Sequence, residues 1–171
     1  MADLLLGQIL TFTADPFAEG LSAARHISHG AVLVDAGKVL VLGEAASLRA
    51  AHPQARVTDY GRHLISAGFI DAHVHYPQTA IIASWGKRLI DWLNTYTFPE
   101  EMRFADSAYA QEIADRYLDL VLARGTTTVC SYATIHPASV DAIFGAARAR
   151  GMRVFAGKTC MDRNAPEGLR D

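Results

Sequence analysis

Two histidines, His73 and His75, stand one residue apart at the end of an apolar run. In a β-strand, residues i and i+2 point to the same face, so this spacing places both imidazoles side by side. Two imidazoles held together in this way can each direct a nitrogen toward one metal ion, and imidazole is a common ligand of zinc. The pair therefore predicts a metal site at the point where a strand ends.

Two polar residues flank the histidine pair. Asp71 precedes it on the same face, and because a buried carboxylate requires a partner, we expect Asp71 either to orient an imidazole or to bind nearby backbone. Gln78 follows the pair, and its neutral amide can both donate and accept hydrogen bonds. Such an amide suits a polar, uncharged substrate such as a nucleobase or an amide, although an ordinary loop glutamine would give the same pattern.

The elements that position these residues alternate between strands and helices from residue 63 onward. The predicted elements are a strand at Leu64–Val74, a helix at Lys87–Asn94, a long helix capped by Asp106 or Ser107 and ended at Gly125, a strand at 126–134, a helix at Ala138–Arg150 opened by Pro137 and stopped by Gly151, and a strand at 152–160. This order implies parallel strands joined by crossover helices, and the apolar composition of the strands implies burial on both faces. Active sites of such folds lie at the carboxyl ends of the strands, where the histidine pair is placed.

An open sheet and a barrel both fit this order of elements. The sequence has no GxGxxG or GxxxxGK[ST] phosphate-binding loop, which argues against a nucleotide-binding open sheet and favours the barrel. We therefore predict an α/β fold: a small β-rich domain over residues 1–62, then the start of a metal-dependent (β/α)8 TIM-type barrel over residues 63–171. About three barrel strands are present, whereas a closed barrel uses eight, so the barrel is incomplete in this chain.

The first 62 residues have the pattern of short strands joined by turns. Ala31–Asp35 and Lys38–Leu42 flank the dipeptide Ala36-Gly37, which predicts a two-residue β-hairpin. A short helix is expected at Ala45–Ala51. We interpret His26 and His29 as solvated loop histidines.

Composition excludes several classes of function. The chain has 171 residues, a formal net charge of −2 and a pI near 6.4, so its charge does not favour nucleic acid or an anionic membrane. No window approaches the roughly 18 apolar residues that a membrane span needs. Cys130 and Cys160 lie in apolar runs and are expected to be buried, reduced thiols. We expect a cytoplasmic protein.

Several longer motifs resemble one known family. The stretch "LISAGFIDAHVHYPQ" is similar to the first barrel strand of the amidohydrolase superfamily. The further stretches that are similar to guanine deaminases within it are "WLNTYTFPEE", "RGTTT", "ATIHPASVDAIF" and "AGKTCMDRNAPEGL". Together they extend from Leu64 nearly to the last residue.

The resemblance implies zinc-dependent, hydrolytic deamination of guanine to xanthine and ammonia, a step of purine catabolism that uses a zinc-bound hydroxide. It assigns His73 and His75 to one zinc ion per active site, although the sequence does not separate zinc from iron. It assigns Gln78 and Trp92 to the guanine pocket. No catalytic residue is assigned, because the family's glutamate proton shuttle and remaining metal ligands have no counterpart up to residue 171.

These gaps predict that the chain is the amino-terminal part of a guanine deaminase and is inactive alone. Deaminases of this type are often homodimers, so a homodimer is expected for the complete enzyme. Two alternatives remain open. One is another metal-dependent amidohydrolase that acts on a different heterocycle. The other is a non-catalytic module that binds a partner through its open sheet edge.

Overall fold

The computed structural model describes residues 1–86 and 88–171. The chain divides into two compact units, Met1–Ala67 and Gly68–Asp171, whereas the sequence pattern suggested a boundary after residue 62. The expected single strand Leu64–Val74 is wrong, because this run is two strands that belong to different sheets. The first ends at Ser66 and the second begins at Phe69.

The first unit is a four-stranded sheet with short helices. Its strands are β1 (Asp3–Phe12), β2 (Ala24–Asp35), β3 (Lys38–Glu44) and β4 (Arg56–Ser66), in the order β3-β2-β1-β4. Its helices are α1 (Pro16–Glu19), a 3-10 turn (Gly20–Ala23) and α2 (Ala45–Ala51). Ala36 and Gly37, between β2 and β3, have φ angles of 48° and 75°. A two-residue hairpin needs this left-handed backbone, so the predicted hairpin is confirmed.

The second unit is a three-stranded parallel sheet in the order β5-β6-β7. Its strands are β5 (Phe69–His75), β6 (Thr126–Tyr132) and β7 (Arg153–Gly157). Its helices are α3 (Leu89–Trp92), α4 (Phe98–Met102), α5 (Ser107–Leu122) and α6 (Pro137–Arg150). A π-helical segment, Leu93–Thr97, joins α3 to α4, and 3-10 turns occupy Tyr76–Ile81, Arg103–Ala105 and Glu167–Leu169. The predicted Lys87–Asn94 helix begins at Lys87, which lies outside the described residues.

The two long helices begin and end where their sequence signals predict. The Asp106 carboxylate caps α5 by accepting a hydrogen bond from the Ala108 backbone N–H at 2.8 Å. Pro137 occupies the first turn of α6, and Gly151 ends that helix in the left-handed conformation. These helices cover one face of the sheet, and the core between them contains Tyr76, Phe104, Ile113, Leu118, Val129 and Ile143.

The opposite face of this sheet is open to solvent. Ile70 and Phe155 are 72% and 59% exposed, so the expected burial of the strands on both faces is wrong for the part of the chain that the structure describes. Cys130 and Cys160 are exposed as well, and the predicted burial of both thiols is wrong. Cys130 alternates with the buried Val129 and Ser131 along β6, which turns it toward the open face.

The three parallel strands with their crossover helices confirm the predicted fold class, the start of an α/β barrel that does not close. Within residues 1–86 and 88–171, no helix combines the length and the apolar character needed to cross a membrane.

Candidate metal and base site

The histidine pair lies at the carboxyl end of β5, as predicted. The ring centroids of His73 and His75 are 5.4 Å apart. Both rings contact Tyr132, which ends the neighbouring strand β6: the centroid distance is 5.3 Å from His73 and 4.7 Å from His75. The adjacent strand therefore holds the two imidazoles beside each other.

The environment of His75 favours its neutral form. Partial burial lowers the pKa of this imidazole, and the nearby His73 lowers it further. A neutral ring keeps a lone pair for a metal ion, since the ligand form of histidine is the deprotonated one.

Asp71 takes the second of its two predicted roles. Its carboxylate accepts a hydrogen bond from the His73 backbone N–H at 3.2 Å. The pairing register between β5 and β6 also shifts between Asp71 and Val74. An irregularity of this kind redirects side chains locally, so Asp71 shapes the backbone that carries His73.

Gln78 follows the pair in the 3-10 turn Tyr76–Ile81, and this turn is anchored in the core. The buried Tyr76 donates its backbone N–H to the Ser131 hydroxyl at 3.2 Å and its own hydroxyl to the Ser139 carbonyl. Burial raises the pKa of the Tyr76 hydroxyl above its ordinary value, which keeps it a donor.

The predicted residues line two cavities that share no lining residue. His75, Gln78 and Trp92 line one of about 350 Å³, together with Tyr117. The Trp92 indole N–H donates to the Ser84 carbonyl at 3.1 Å, which fixes one edge of the ring. His73 lines the other cavity, of about 410 Å³, and the side chains around it include Cys130, Tyr132, Phe155 and Lys158.

The donor set fits part of a zinc site. Two imidazoles at the end of a strand are suitable ligands, but catalytic zinc usually has three protein ligands. Across residues 1–86 and 88–171, no group of three or more His, Cys, Asp or Glu side chains could hold a metal ion. Among the described residues, the histidine pair is thus a candidate for at most two of the ligands that such a site needs.

Sequence reasoning missed two buried glutamates on α4. Glu100 and Glu101 are only 6% and 7% exposed. Glu100 accepts hydrogen bonds from Arg103 at 3.0 Å and from the Tyr109 hydroxyl. Burial raises the pKa of Glu101 to about 7, and the nearby Gln78 side chain partly offsets this effect. The sequence feature that could have indicated these buried acids is the pair of adjacent glutamates between aromatic residues in the stretch "TYTFPEEMRF".

Three other histidines line neither of these cavities. His136 stands at the start of α6, so Pro137 does begin a helix there. The His136 Nε2 is buried with no hydrogen-bond partner among the described residues, and burial, followed by Lys158, lowers its pKa. His26 and His29 lie in strand β2 of the first unit, so their placement in a loop was wrong. The His26 Nε2 is 3.1 Å from the Gln8 side-chain oxygen.

Two family models match this chain. The model described as "Amidohydrolase family" matches residues 64–171. The chain belongs to this family. Residues 30–55 of this amidohydrolase also match a model described as an imidazolonepropionase-like composite domain of bacteria.

The curated relatives of this amidohydrolase include guanine deaminases. The guanine deaminase of Escherichia coli K12 is 44% identical over 163 residues, which cover 95% of this chain and 37% of that protein. A solved structure of an E. coli guanine deaminase has 42% identity and a TM-score of 0.90, and the match covers 99% of this chain and 40% of that one. This chain thus spans less than half the length of the relatives that it matches.

Two further guanine deaminase structures are similar. The enzyme from Bradyrhizobium japonicum has 36% identity and a TM-score of 0.92, and the match covers 100% of this chain and 38% of that one. The enzyme from C. acetobutylicum, which has guanine bound in its active site, has 26% identity and a TM-score of 0.84, with coverage of 100% and 39%.

Proposed function

We propose that this chain forms part of a guanine deaminase, which hydrolyses guanine to xanthine and ammonia. The observation that carries the proposal is the histidine pair at the end of β5, in a chain that is 44% identical to the E. coli guanine deaminase over 95% of its length. We use the term parent enzyme for the complete protein that contains this chain.

In the parent enzyme, His73 and His75 would hold one zinc ion. Zinc, when bound, supplies the activation of water for attack near neutral pH. This chain would contribute two neutral imidazoles. Contacts with the Tyr132 ring and the Asp71 carboxylate help to fix the orientation of these imidazoles. The further ligands and the group that moves protons would come from the rest of the parent enzyme.

Gln78 and Trp92 would bind the base. Both line the cavity that His75 also lines, so groups suited to a flat, polar ring lie beside the metal ligands. The Gln78 amide can hydrogen-bond the edge of a purine, and the Trp92 indole offers an apolar surface to it.

We also infer the location, pathway and subunit assembly of the parent enzyme. We infer a cytoplasmic enzyme of purine catabolism that acts on free guanine and forms a homodimer. The net charge of −2, without clustered basic residues, supports a small-molecule substrate rather than a nucleic acid.

The test is to assay the purified parent enzyme for release of xanthine and ammonia from guanine, and to measure its bound metal by mass spectrometry. His73→Ala and His75→Ala should each lower the zinc content and reduce kcat/KM by about 100-fold or more. His29→Asn, at an exposed position of the first unit, is the matched control and should change neither quantity.

Two results would contradict the proposal. Turnover of cytosine or a triazine without turnover of guanine would indicate an amidohydrolase with a different substrate. A protein that melts cooperatively, binds no metal and is indifferent to chelators would indicate a non-catalytic module.

A further inference from the structure

The segment that follows β7 forms a closed loop, which we call the Lys158–Asp171 loop. The Lys158 ammonium pairs with the Asp171 carboxylate. The same carboxylate accepts a hydrogen bond from the Met161 backbone N–H at 2.8 Å. The Asp171 backbone N–H donates to the Met161 carbonyl at 3.0 Å. The two ends of the loop therefore meet, and compact loops with this closure are frequently functional.

The partners of Lys158 lie within the loop. Lys158 and His73 line the same cavity, so a cation stands near one of the metal-ligand candidates. An ammonium group has three N–H donors. The partners of this ammonium are the Asp171 carboxylate, the Thr159 carbonyl at 3.1 Å and the Cys160 thiol at 3.9 Å. The cation therefore closes the loop and does not depend on a substrate for its contacts.

The far side of the loop is seated on α4. Leu169 is fully buried, and the 3-10 turn to which it belongs, Glu167–Leu169, contacts α4. At the adjacent Gly168, a Cβ atom would lie 3.0 Å from the Met102 Sδ. The backbone of the loop thus closely approaches the last residue of α4.

The α4 segment also packs against the turn that carries Gln78. α4 contacts the 3-10 turn Tyr76–Ile81. Phe104, which follows α4, packs edge-on against Tyr76, with ring centroids 5.6 Å apart. Both of these side chains are fully buried. Because protein interiors are close-packed and transmit displacements, the position of the loop affects the position of Gln78.

We propose that the Lys158–Asp171 loop is a positioning element, which holds α4 against the Tyr76–Ile81 turn through Leu169 and so fixes Gln78 for binding the substrate base. This inference rests on the proposed function, because it concerns how Gln78 meets the base. Leu169 is the positioning residue, and the ion pair at the base of the loop keeps Leu169 in place.

The loop should affect base binding more than metal binding. An amide that is fixed in advance does not have to be ordered when the base arrives, which lowers the entropic cost of binding. His73 and His75 are held in a different way, since both rings contact Tyr132 of the neighbouring strand. Release of the loop therefore weakens substrate binding and leaves the zinc content of the parent enzyme unchanged.

The test is a double-mutant cycle in the parent enzyme, built from Leu169→Ala, Gln78→Ala and the double variant. Leu169→Ala should raise KM for guanine about tenfold, with little change in kcat or in bound zinc. On the Gln78→Ala background the same substitution should have no further effect on KM, because Leu169 acts through Gln78. Leu169→Met nearly conserves the side-chain volume and should keep KM close to that of the wild type.

Leu4→Ala is the matched control, since Leu4 is an equally buried leucine in the sheet of the first unit. It should lower the melting temperature by a similar amount and leave KM unchanged. Asp171→Ala opens the base of the loop without creating a cavity in the core. It should raise KM about threefold, because a partly exposed ion pair contributes less than a buried side chain.

Three results would overturn the inference. These are additive effects of Leu169→Ala and Gln78→Ala on KM, an equal rise of KM in Leu4→Ala, and a Leu169→Ala variant in which only the melting temperature falls. If Leu169→Ala does not fold, the cycle of Asp171→Ala with Gln78→Ala decides the same question.

Failure of the proposed function would be seen separately. A wild-type parent enzyme that does not deaminate guanine would overturn both proposals before any variant is compared. A wild type with normal turnover of guanine and additive variants would overturn only the role of the loop.

Discussion

The imidazole of His75 stacks on the phenol ring of Tyr132, with ring centroids 4.7 Å apart and ring planes inclined by 14°. The two residues are also direct pairing partners in the parallel ladder between β5 and β6. One metal-ligand candidate is thus held by the neighbouring strand through both backbone pairing and ring contact.

Removing this ring should weaken metal binding. We expect Tyr132→Ala to raise the Kd of the parent enzyme for zinc by up to about tenfold, because a stacked aromatic pair contributes about 0.5–1.5 kcal/mol. Competition with a chromophoric chelator measures this constant. Tyr132→Phe keeps the ring and should bind zinc as the wild type does, and equal losses in both variants would show that the hydroxyl matters instead.

The buried Glu101 should make stability depend on pH. Its pKa rises from an ordinary value of 4.5 to about 7 in the fold, so between these values the folded protein keeps a proton that the unfolded chain releases. The free energy of unfolding should therefore fall as the pH increases through this window and level off above about pH 7. The loss is up to about 3 kcal/mol, reduced by solvent screening.

The variant Glu101→Gln isolates this contribution, since it cannot ionise. The melting temperature of the parent enzyme should fall less between pH 5 and pH 8 in this variant than in the wild type. A melting-temperature difference between the two proteins that is the same at both pH values would show that Glu101 titrates near its ordinary pKa.

Gly68, just before β5, should tolerate no side chain. A Cβ atom at this position would lie 2.2 Å from the Thr127 Oγ1 and 2.3 Å from its Cγ2. We expect Gly68→Ala to destabilise the protein by about 1–3 kcal/mol through overpacking against β6. Thermal melts of the parent enzyme measure the loss.

A second substitution tests the cause. Thr127→Ala removes those two atoms but leaves its own Cβ only 2.7 Å from the new methyl group. The Gly68→Ala, Thr127→Ala double variant should therefore recover part of the stability. No recovery would contradict the overlap with the Thr127 Oγ1 and Cγ2 as the main cause of the loss.

Tyr76 should matter for the turn that carries Gln78. Tyr76→Phe removes the hydroxyl that donates a hydrogen bond to the Ser139 carbonyl. Because the buried carbonyl then loses this donor, the free energy of unfolding should fall by about 1–2 kcal/mol. Chemical denaturation of the parent enzyme should show the loss. Tyr60→Phe, at a half-exposed tyrosine of the first unit, should have little effect, and similar losses in both variants would contradict the proposed anchor.

Local patterns in the sequence determined much of the fold. The caps of α5 and α6, the left-handed turn at Ala36-Gly37 and the order of strands and crossover helices follow from interactions within a few residues or from hydrophobic periodicity. The spacing of His73 and His75 also predicted that the two rings lie together at a strand end, because strand geometry alone fixes that relationship.

Other features were decided only by tertiary structure. The run Leu64–Val74 is mostly apolar, yet the chain changes sheets at Ala67 and Gly68, since pairing partners far along the chain determine where each strand belongs. The exposure of Cys130 and Phe155 depends on which face of the sheet the helices cover, and the amino-acid composition of the strands does not determine that face.

The candidate site also combines features that the sequence predicts with features that only the tertiary structure determines. Residue types identified the histidines and Gln78 as candidates, because their chemistry belongs to the side chains themselves. The stacking of Tyr132 on His75 joins residues that are 57 positions apart in the sequence, and α4 contacts the 3-10 turn that carries Gln78. Only the packing of β6 beside β5, and of α4 beside the turn after β5, brings these partners together, because such contacts depend on where whole elements lie rather than on local spacing.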